Sequence, residues 1–390
     1  MATPRIAVVH ERFTEYGGSE AVVAEFLKIW PRAQVFAPIV SDECLGAVRA
    51  AAARDFAEAP GRHDEPHAFR TTWLTRAHAG IGRHSHAPLL PFVPRALRRL
   101  PLHRDVDAVV VSHHSFGTQA ALATDAPVIA YVHSPARWGW DPAFRAREAG
   151  GRAGQLALAA LGRLARRCEL RAAPRLTHVI ANSRAVAARI DDWWGLPATV
   201  INPPVRIDRF SPDPSIPRGD FFLFAGRLVP YKRPDLAIRA AQRAGCRLVV
   251  LGDGRFRPHL EALAGPETTF LGAAPDDVLL DTYRRCRALL MPGIEDFGIV
   301  PVEAMACGTP VLATASGGSL DTILPGITGE LLPPGDDTTV ITEFARAMRH
   351  FTPSYNPTTI RHHAESFSPT TFRTRIATVV DETLTTHPYR

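Results

Sequence analysis

The chain has 390 residues, 46% of them hydrophobic, which is enough for two ordinary globular cores. A formal charge of +6 suits an anionic partner but is modest for this length, and 8% aromatic residues with no recognised binding motif argue against nucleic acid. The longest apolar runs, such as Ala108–Val111 and Ala126–Val132, are strand-sized rather than the roughly 20 residues of a spanning helix. Residues 1–7 lack a signal peptide's basic segment and apolar core, so the expectation is a cytoplasmic protein. Five cysteines, Cys44, Cys168, Cys246, Cys286 and Cys307, lie far apart without zinc-ligand spacing and read as buried small hydrophobes in a reducing compartment.

In chain order, Arg5–His10 predicts a strand, and Tyr16-Gly17-Gly18-Ser19-Glu20 joins it to a helix. The glycines let backbone approach a ligand closely, and Ser19 is the expected N-cap. Val22, Val23, Phe26, Leu27 and Trp30 share one helical face. The stretch Arg95–Arg104 mixes Leu97, Leu100 and Leu102 with Arg95, Arg98, Arg99 and Arg104, a pattern that fits either a solvated helix face or contact with an anionic membrane. Arg163–Arg175 is similarly basic.

Strands follow at Ala108–Ser112, Val128–His133 and Thr177–Asn182. His113-His114 is a poor metal pair, because neighbours on a strand point to opposite faces. Asp105-Val106-Asp107 precedes its strand, at the amino end, so no metal is expected. His133 ends its strand and is expected to point at a ligand.

Asn202-Pro203-Pro204-Val205 closes the first series, and Phe210–Gly219, rich in Pro, Ser and Asp, predicts a linker near 204–219. The domains are then 1–204 and 205–369, with a last helix about 370–390 packing back on the first. Second-half strands are expected at Phe221–Ala225, Arg247–Leu251, Thr268–Leu271, Ala288–Met291 and Pro310–Thr314, with a helix beginning at Pro234. Most of the runs lack alternation, as in parallel strands covered on both faces, so the expected class is doubly wound α/β. Ligands in such sheets bind beyond the carboxyl ends of strands.

Two segments carry the chemistry. Gly226-Arg227 through Lys232 follows the strand that opens the second domain, and two fixed cations there would grip a diphosphate and stabilise it as a leaving group. Glu295 to Val311 follows a later strand; Pro301 suits a first helical turn, Gly308 a left-handed cap, and Glu303 is placed in the first turn, where a carboxylate accepts bonds from vicinal hydroxyls. Ser316-Gly317-Gly318-Ser319 is able to present N–H groups to a phosphate or is simply a turn.

Both segments resemble the retaining glycosyltransferases of family 4, of the GT-B fold: the E-x7-E pattern falls on Glu295 and Glu303, and G-R-x-x-x-x-K on Gly226, Arg227 and Lys232. The resemblance is strong over residues 200–335 and looser before them. It implies two Rossmann-like domains facing a central cleft, an acceptor-binding first domain, and a second domain that binds a nucleoside-diphosphate sugar. It assigns the diphosphate to Arg227 and Lys232, ribose to Glu303, and the transferred sugar and α-phosphate to Glu295 with the backbone of Phe297, Gly298 and Ile299. Gly17 and Gly18 fall against donor phosphate or acceptor, and His133 at the donor sugar's hydroxyls. Mannose from GDP-mannose is favoured, a UDP-sugar stays open, and no further cofactor is implied. The acceptor is expected to be a glycan or lipid-linked molecule, with peripheral contact at the inner membrane face. A GT-B sugar-nucleotide epimerase and a non-catalytic anion-binding protein are the alternatives.

Overall fold

The computed structural model describes residues 4–54, 68–81, 85–102, 106–148, 151–352 and 354–387. The chain divides into two compact units, one of Met1–Pro204 with Pro369–Arg390 and one of Val205–Ser368.

The first unit contains β1 (Ile6–His10), β2 (Arg12–Phe13), β3 (Gln34–Ala37), β4 (Ile39–Val40), β5 (Phe69–Thr71), β6 (Ala108–His113), β7 (Val128–Val132), β8 (His178–Ala181) and β9 (Thr199–Val200). Seven form one sheet in the order β5-β3-β1-β6-β7-β8-β9, with every neighbouring pair parallel. Because successive strand residues face opposite sides, β1 and β6 each feed two cores. Ile6, Val8 and Val110 pack with Phe26 of helix Gly18–Ile29. Ala7, Val9, Val109 and Val111 pack with Leu97 and Phe116. This two-sided burial is why the strands read as unbroken apolar runs. Helix Pro369–Thr386 closes the first core with Phe372, Ile376, Val379 and Val380.

The second unit contains β10 (Phe222–Ala225), β11 (Leu248–Leu251), β12 (Thr268–Gly272), β13 (Leu289–Met291), β14 (Val311–Thr314) and β15 (Gly329–Leu332), in the order β12-β11-β10-β13-β14-β15 and again all parallel. Helix Pro234–Ala244 starts at the expected proline, buries Leu236, Ile238 and Ala241, and ends at Gly245 in the left-handed region.

In each sheet the strand order reverses once, between β1 and β6 in the first unit and between β10 and β13 in the second. Connections leave the carboxyl edge in opposite directions there, and the resulting crevice is where open α/β sheets bind ligands.

Several expectations need correction. Residues 205–219 are not a free linker, because Val205 and Phe210 are 1% and 0% exposed in the second unit's core. Cys246 is only partly buried, unlike the other four cysteines. The leucines of the Arg95–Arg104 stretch are not a membrane-facing stripe: Leu97, Leu100 and Leu102 are buried in the first unit's core. Arg104 and Asp105 lie outside the described residues. Asp107 pairs with Arg5 at 3.1 Å, tying the starts of β1 and β6. Strands β2 to β5, β9 and β15 were not expected from the pattern.

Candidate functional site

In the second unit, β10 ends at Ala225, and Gly226 turns the chain with φ 130°. A single tight turn, Pro230–Lys232, follows, and then Arg233 at φ 56°, the one described non-glycine residue in the left-handed region. That conformation costs energy for a side-chain-bearing residue. Two bidentate contacts hold it: the Arg233 guanidinium donates to Asp235 at 3.1 and 2.8 Å and to Asp337 at 2.7 and 2.6 Å. The pairing keeps Arg233 firmly charged against the opposing effect of burial.

This loop presents Lys232, whose Nζ donates to Glu295 Oε1 at 2.5 Å. Lys232 belongs to the loop after β10 and Glu295 to the loop after β13, so the pair spans the point where strand order reverses. The two side chains are 16% and 19% exposed. Burial alone would lower the Lys232 pKa, but the Glu295 carboxylate overrides it and holds the ammonium above its ordinary value. Arg227 is exposed and hydrogen-bonds Tyr231, whose phenol is pushed up by burial and by the Glu295 charge.

Close backbone approach shapes this edge. A Cβ on Gly293 would collide with the Lys232 carbonyl, and one on Gly317, at φ 68°, with the Glu295 carbonyl. Gly318 N donates to Glu295 O at 2.9 Å, seating the 316–319 turn on Glu295 and Phe297. Gly298, at φ 90°, precedes helix Ile299–Ala306.

Glu303 departs from expectation. It is the fifth residue of that helix, which opens at Ile299, so Pro301 lies in the first turn as expected and Glu303 just past it. It accepts from the Tyr283 hydroxyl at 3.1 Å, and no described hydrogen bond or ion pair links it to Lys232 or Glu295. Burial raises its pKa to about 7, against the opposing bond from Tyr283 and the charge of Arg206. The structure thus joins Lys232 with Glu295 and sets Arg227 beside Tyr231, while Glu303 occupies its own polar setting with Tyr283.

In the first unit, Gly17 rather than Ser19 caps helix Gly18–Ile29, and Ser19 lies inside the first turn, donating to Glu20 Oε2 at 2.8 Å. Glu20 also accepts from Gly17 N at 3.0 Å. His133 follows β7, is 9% exposed, and stacks on His114 with ring centroids 4.5 Å apart. Its Nε2 meets Ser112 Oγ at 2.8 Å. Burial, together with His114 and His10, pushes its pKa well below 6.5, so the ring is neutral.

Two buried carboxylates brace the surroundings. Glu11 accepts four backbone N–H bonds from His114, Ser115, Phe116 and Gly117 at 2.6–2.9 Å. Glu169 accepts from His113 Nε2 at 3.1 Å, Ala136 N at 2.7 Å, Trp140 Nε1 at 2.5 Å and Trp194 Nε1 at 3.3 Å, fixing the segment after His133. Sequence reasoning passed over Glu11, Glu169, His10, Ser112, Tyr231 and Tyr283. For Glu20 a signal existed: it stands at the N3 position of its helix, where an acid caps the turn. Among the described residues no group of three or more His, Cys, Asp and Glu is placed to hold a metal ion.

Residues 16–209 match the family described as Glycosyltransferase Family 4, and residues 208–351 match Glycosyl transferases group 1. A D-inositol 3-phosphate glycosyltransferase of Mycobacteroides abscessus is 35% identical over 176 residues, 40% of this chain and 38% of that protein. The same-named protein of Kribbella flavida is 36% identical over 34% of this chain and 38% of its own length. The chain therefore spans about two-fifths of the length of these curated relatives. Anabaena HepE, solved in complex with UDP and glucose, superposes with a TM-score of 0.69 at 18% identity, over 97% of this chain and 100% of that one. Sucrose-phosphate synthase of Thermosynechococcus elongatus gives 0.69 at 18% identity, over 98% and 100%. These likenesses show the fold, GT-B with two Rossmann-like domains. With one family match over most of the first unit and the other over most of the second, the chain belongs to the glycosyltransferases built from a family 4 domain followed by a group 1 domain.

Proposed function

We propose that this protein transfers a hexosyl group from a nucleoside-diphosphate sugar to a hydroxyl of a glycan or lipid-linked acceptor, with retention at the anomeric carbon. The second unit takes the donor and the first the acceptor. The observation that carries the reading is the Lys232–Glu295 pair, which sets a fixed cation at the strand-order reversal of β10 and β13. A diphosphate bound there gains a charge-assisted contact from Lys232 and a second cation in Arg227. As the anomeric C–O bond breaks, both stabilise the negative charge that collects on the leaving diphosphate. The acceptor oxygen bonds to the same face of the anomeric carbon, and its proton passes to the departing phosphate oxygen. No protein nucleophile is required.

The backbone of Phe297, Gly298 and Ile299 and the turn at Gly317 supply N–H groups for the α-phosphate and sugar, and Glu303 takes the ribose hydroxyls. Gly17 and Gly18 serve the phosphate or acceptor, and His133 the hydroxyls of the transferred sugar. The run Glu295–Val311 favours GDP-mannose, whereas the likeness to a UDP-bound protein makes UDP-glucose its direct competitor. For a lipid-linked acceptor, the exposed Arg163, Arg166, Arg167 and Arg171 of helix Gly151–Ala172 form the anion-facing surface.

The test is thermal stabilisation by GDP-mannose, UDP-glucose and UDP-N-acetylglucosamine. A donor at 100 times its Kd stabilises the native form by about 2.7 kcal/mol. One sugar nucleotide raising Tm while free mannose and glucose do not supports the reading; no response to any nucleotide sugar overturns it.

A further inference from the structure

The Gly17-Gly18 turn and His133 are separate features of the sequence, yet one buried carboxylate connects them. Glu20 is 7% exposed. Its Oε2 accepts from Gly17 N and from the Ser19 hydroxyl, and its Oε1 meets His10 Nε2 at 3.1 Å. His10 ends β1 and is 0% exposed. Its Nδ1 meets Ser112 Oγ at 3.0 Å, and Ser112 stands opposite His10 in the β1–β6 register. Ser112 Oγ then meets His133 Nε2 at 2.8 Å. Three consecutive hydrogen bonds therefore run from helix Gly18–Ile29 to the end of β7.

The ionised carboxylate at one end fixes the first bond of this chain, and the number of protons on His10 fixes the two beyond it. An ionised carboxylate only accepts. Burial alone would favour the protonated acid, but the bonds from His10 and Ser19 hold the Glu20 pKa at about 2. His10 Nε2 is therefore a donor. A second proton, on His10 Nδ1, would turn that atom into a donor and reverse the bonds beyond it; with one proton His10 Nδ1 accepts and the Ser112 hydroxyl donates to it. The serine oxygen then accepts from His133 Nε2–H. His133 is neutral and carries one proton, so its Nδ1 is left with a lone pair, and that atom makes no hydrogen bond among the described residues.

We propose that His10 carries one proton, on Nε2, and that Glu20, acting through it and Ser112, is the positioning residue that fixes His133 as the Nε2–H tautomer, so that Nδ1 accepts a hydrogen bond from a ligand hydroxyl. The identity of that ligand as a sugar rests on the proposed function; the tautomer does not. His133 thus receives a hydrogen bond from the sugar and does not protonate it. The same carboxylate registers the Gly17 N–H, so turn and imidazole are set by one group. Histidine tautomers are commonly fixed in this way, by the bond made at the opposite ring nitrogen.

Ring nitrogen-15 NMR on histidine-labelled protein decides the matter, with the His133 signals identified by their loss in His133→Asn. The wild type should show a protonated Nε2 and a bare Nδ1. Ser112→Ala and Glu20→Ala should each give a mixture of tautomers. A wild-type His133 protonated on Nδ1 overturns the proposal, as does either variant keeping the wild-type pattern. The measurement needs no turnover, so a protein that moved no sugar would refute the function and still decide the tautomer. In the transfer reaction Ser112→Ala should lower kcat/KM about tenfold, the scale of one hydrogen bond, mainly through kcat; an unchanged kcat/KM would remove any role of the tautomer in transfer.

Discussion

Replacing Lys232 by methionine keeps the length and apolar stem of the side chain and deletes only its charge. The structure sets two consequences of different size. The first is stability. Lys232 and Glu295 are 16% and 19% exposed, between the surface and buried limits for ion pairs. Exposed pairs contribute about 0.2–1 kcal/mol, whereas breaking a fully buried one costs about 3–5. Orphaning the Glu295 carboxylate should therefore cost about 1–2 kcal/mol, or roughly 2–8 °C in Tm for a unit of this size. The second is rate. Removing one group that stabilises developing negative charge costs about 10²–10³ in kcat. Adding Glu295→Gln separates the two, because it removes the stranded charge. The double variant should regain most of the lost Tm and none of the lost rate. Calorimetry and initial-rate assays on the four proteins read both quantities. Near-wild-type transfer by Lys232→Met, or recovery of rate together with stability in the double variant, would refute the leaving-group role and leave the pair purely structural.

Glu303 predicts a pH effect. Its folded pKa of about 7 lies above the ordinary carboxylate value of 4.5, so ionising it disfavours the fold; its contribution is full below about 4.5 and is lost as pH rises through 7. In the proposed role Glu303 would accept from ribose hydroxyls as the ionised form, so donor Kd should tighten about 3–10-fold between pH 6 and 8, and Glu303→Gln should flatten that slope. Calorimetric titration at both pH values checks this, and an unaltered slope in the variant rejects it. Gly293→Ala forces a methyl against the Lys232 carbonyl and should weaken donor binding at least tenfold while leaving the first unit intact, as limited proteolysis would report. Arg233→Lys loses the double bidentate grip and should lower Tm by several degrees, whereas a Tm within 1 °C of wild type, in the same calorimetric scan, would count against the clamp. If the acceptor is membrane-borne, changing Arg163, Arg166, Arg167 and Arg171 to Ala should abolish co-sedimentation with vesicles of one-third anionic lipid.

Much of the fold was legible because parallel strands are buried on both faces. Val109–Val111 and Leu248–Leu251 announce themselves by unbroken apolar side chains. The two-residue strands β2, β4 and β9 and the Gly-initiated β15 have no such run, so only pairing with neighbours defines them. Residues 205–219 misled because Pro and Asp signal irregular backbone but say nothing about whether Val205 and Phe210 are buried. In the site, the spacing of Gly226, Arg227, Lys232 and Glu295 was visible as a pattern, and the structure adds that Lys232 touches Glu295. Glu303 was placed one turn too early: Gly298 caps the helix and Ile299 opens it, so Pro301 does fall in the first turn but Glu303 lies past it. The Glu20–His10–Ser112–His133 chain was hidden, since it joins residues up to 102 positions apart through strand register. A serine at a strand's end carries no sign of its partner.

The return of helix Pro369–Thr386 to the first unit reverses the usual order of maturation on the ribosome. Phe372, Ile376 and Val380 emerge only after all of Val205–Ser368 has been made, so the first unit must wait with an uncovered apolar face while the later-made second unit can already fold to completion. Nascent chains stalled before residue 369 should therefore engage holdase chaperones through that face, and release should follow as the final helix docks.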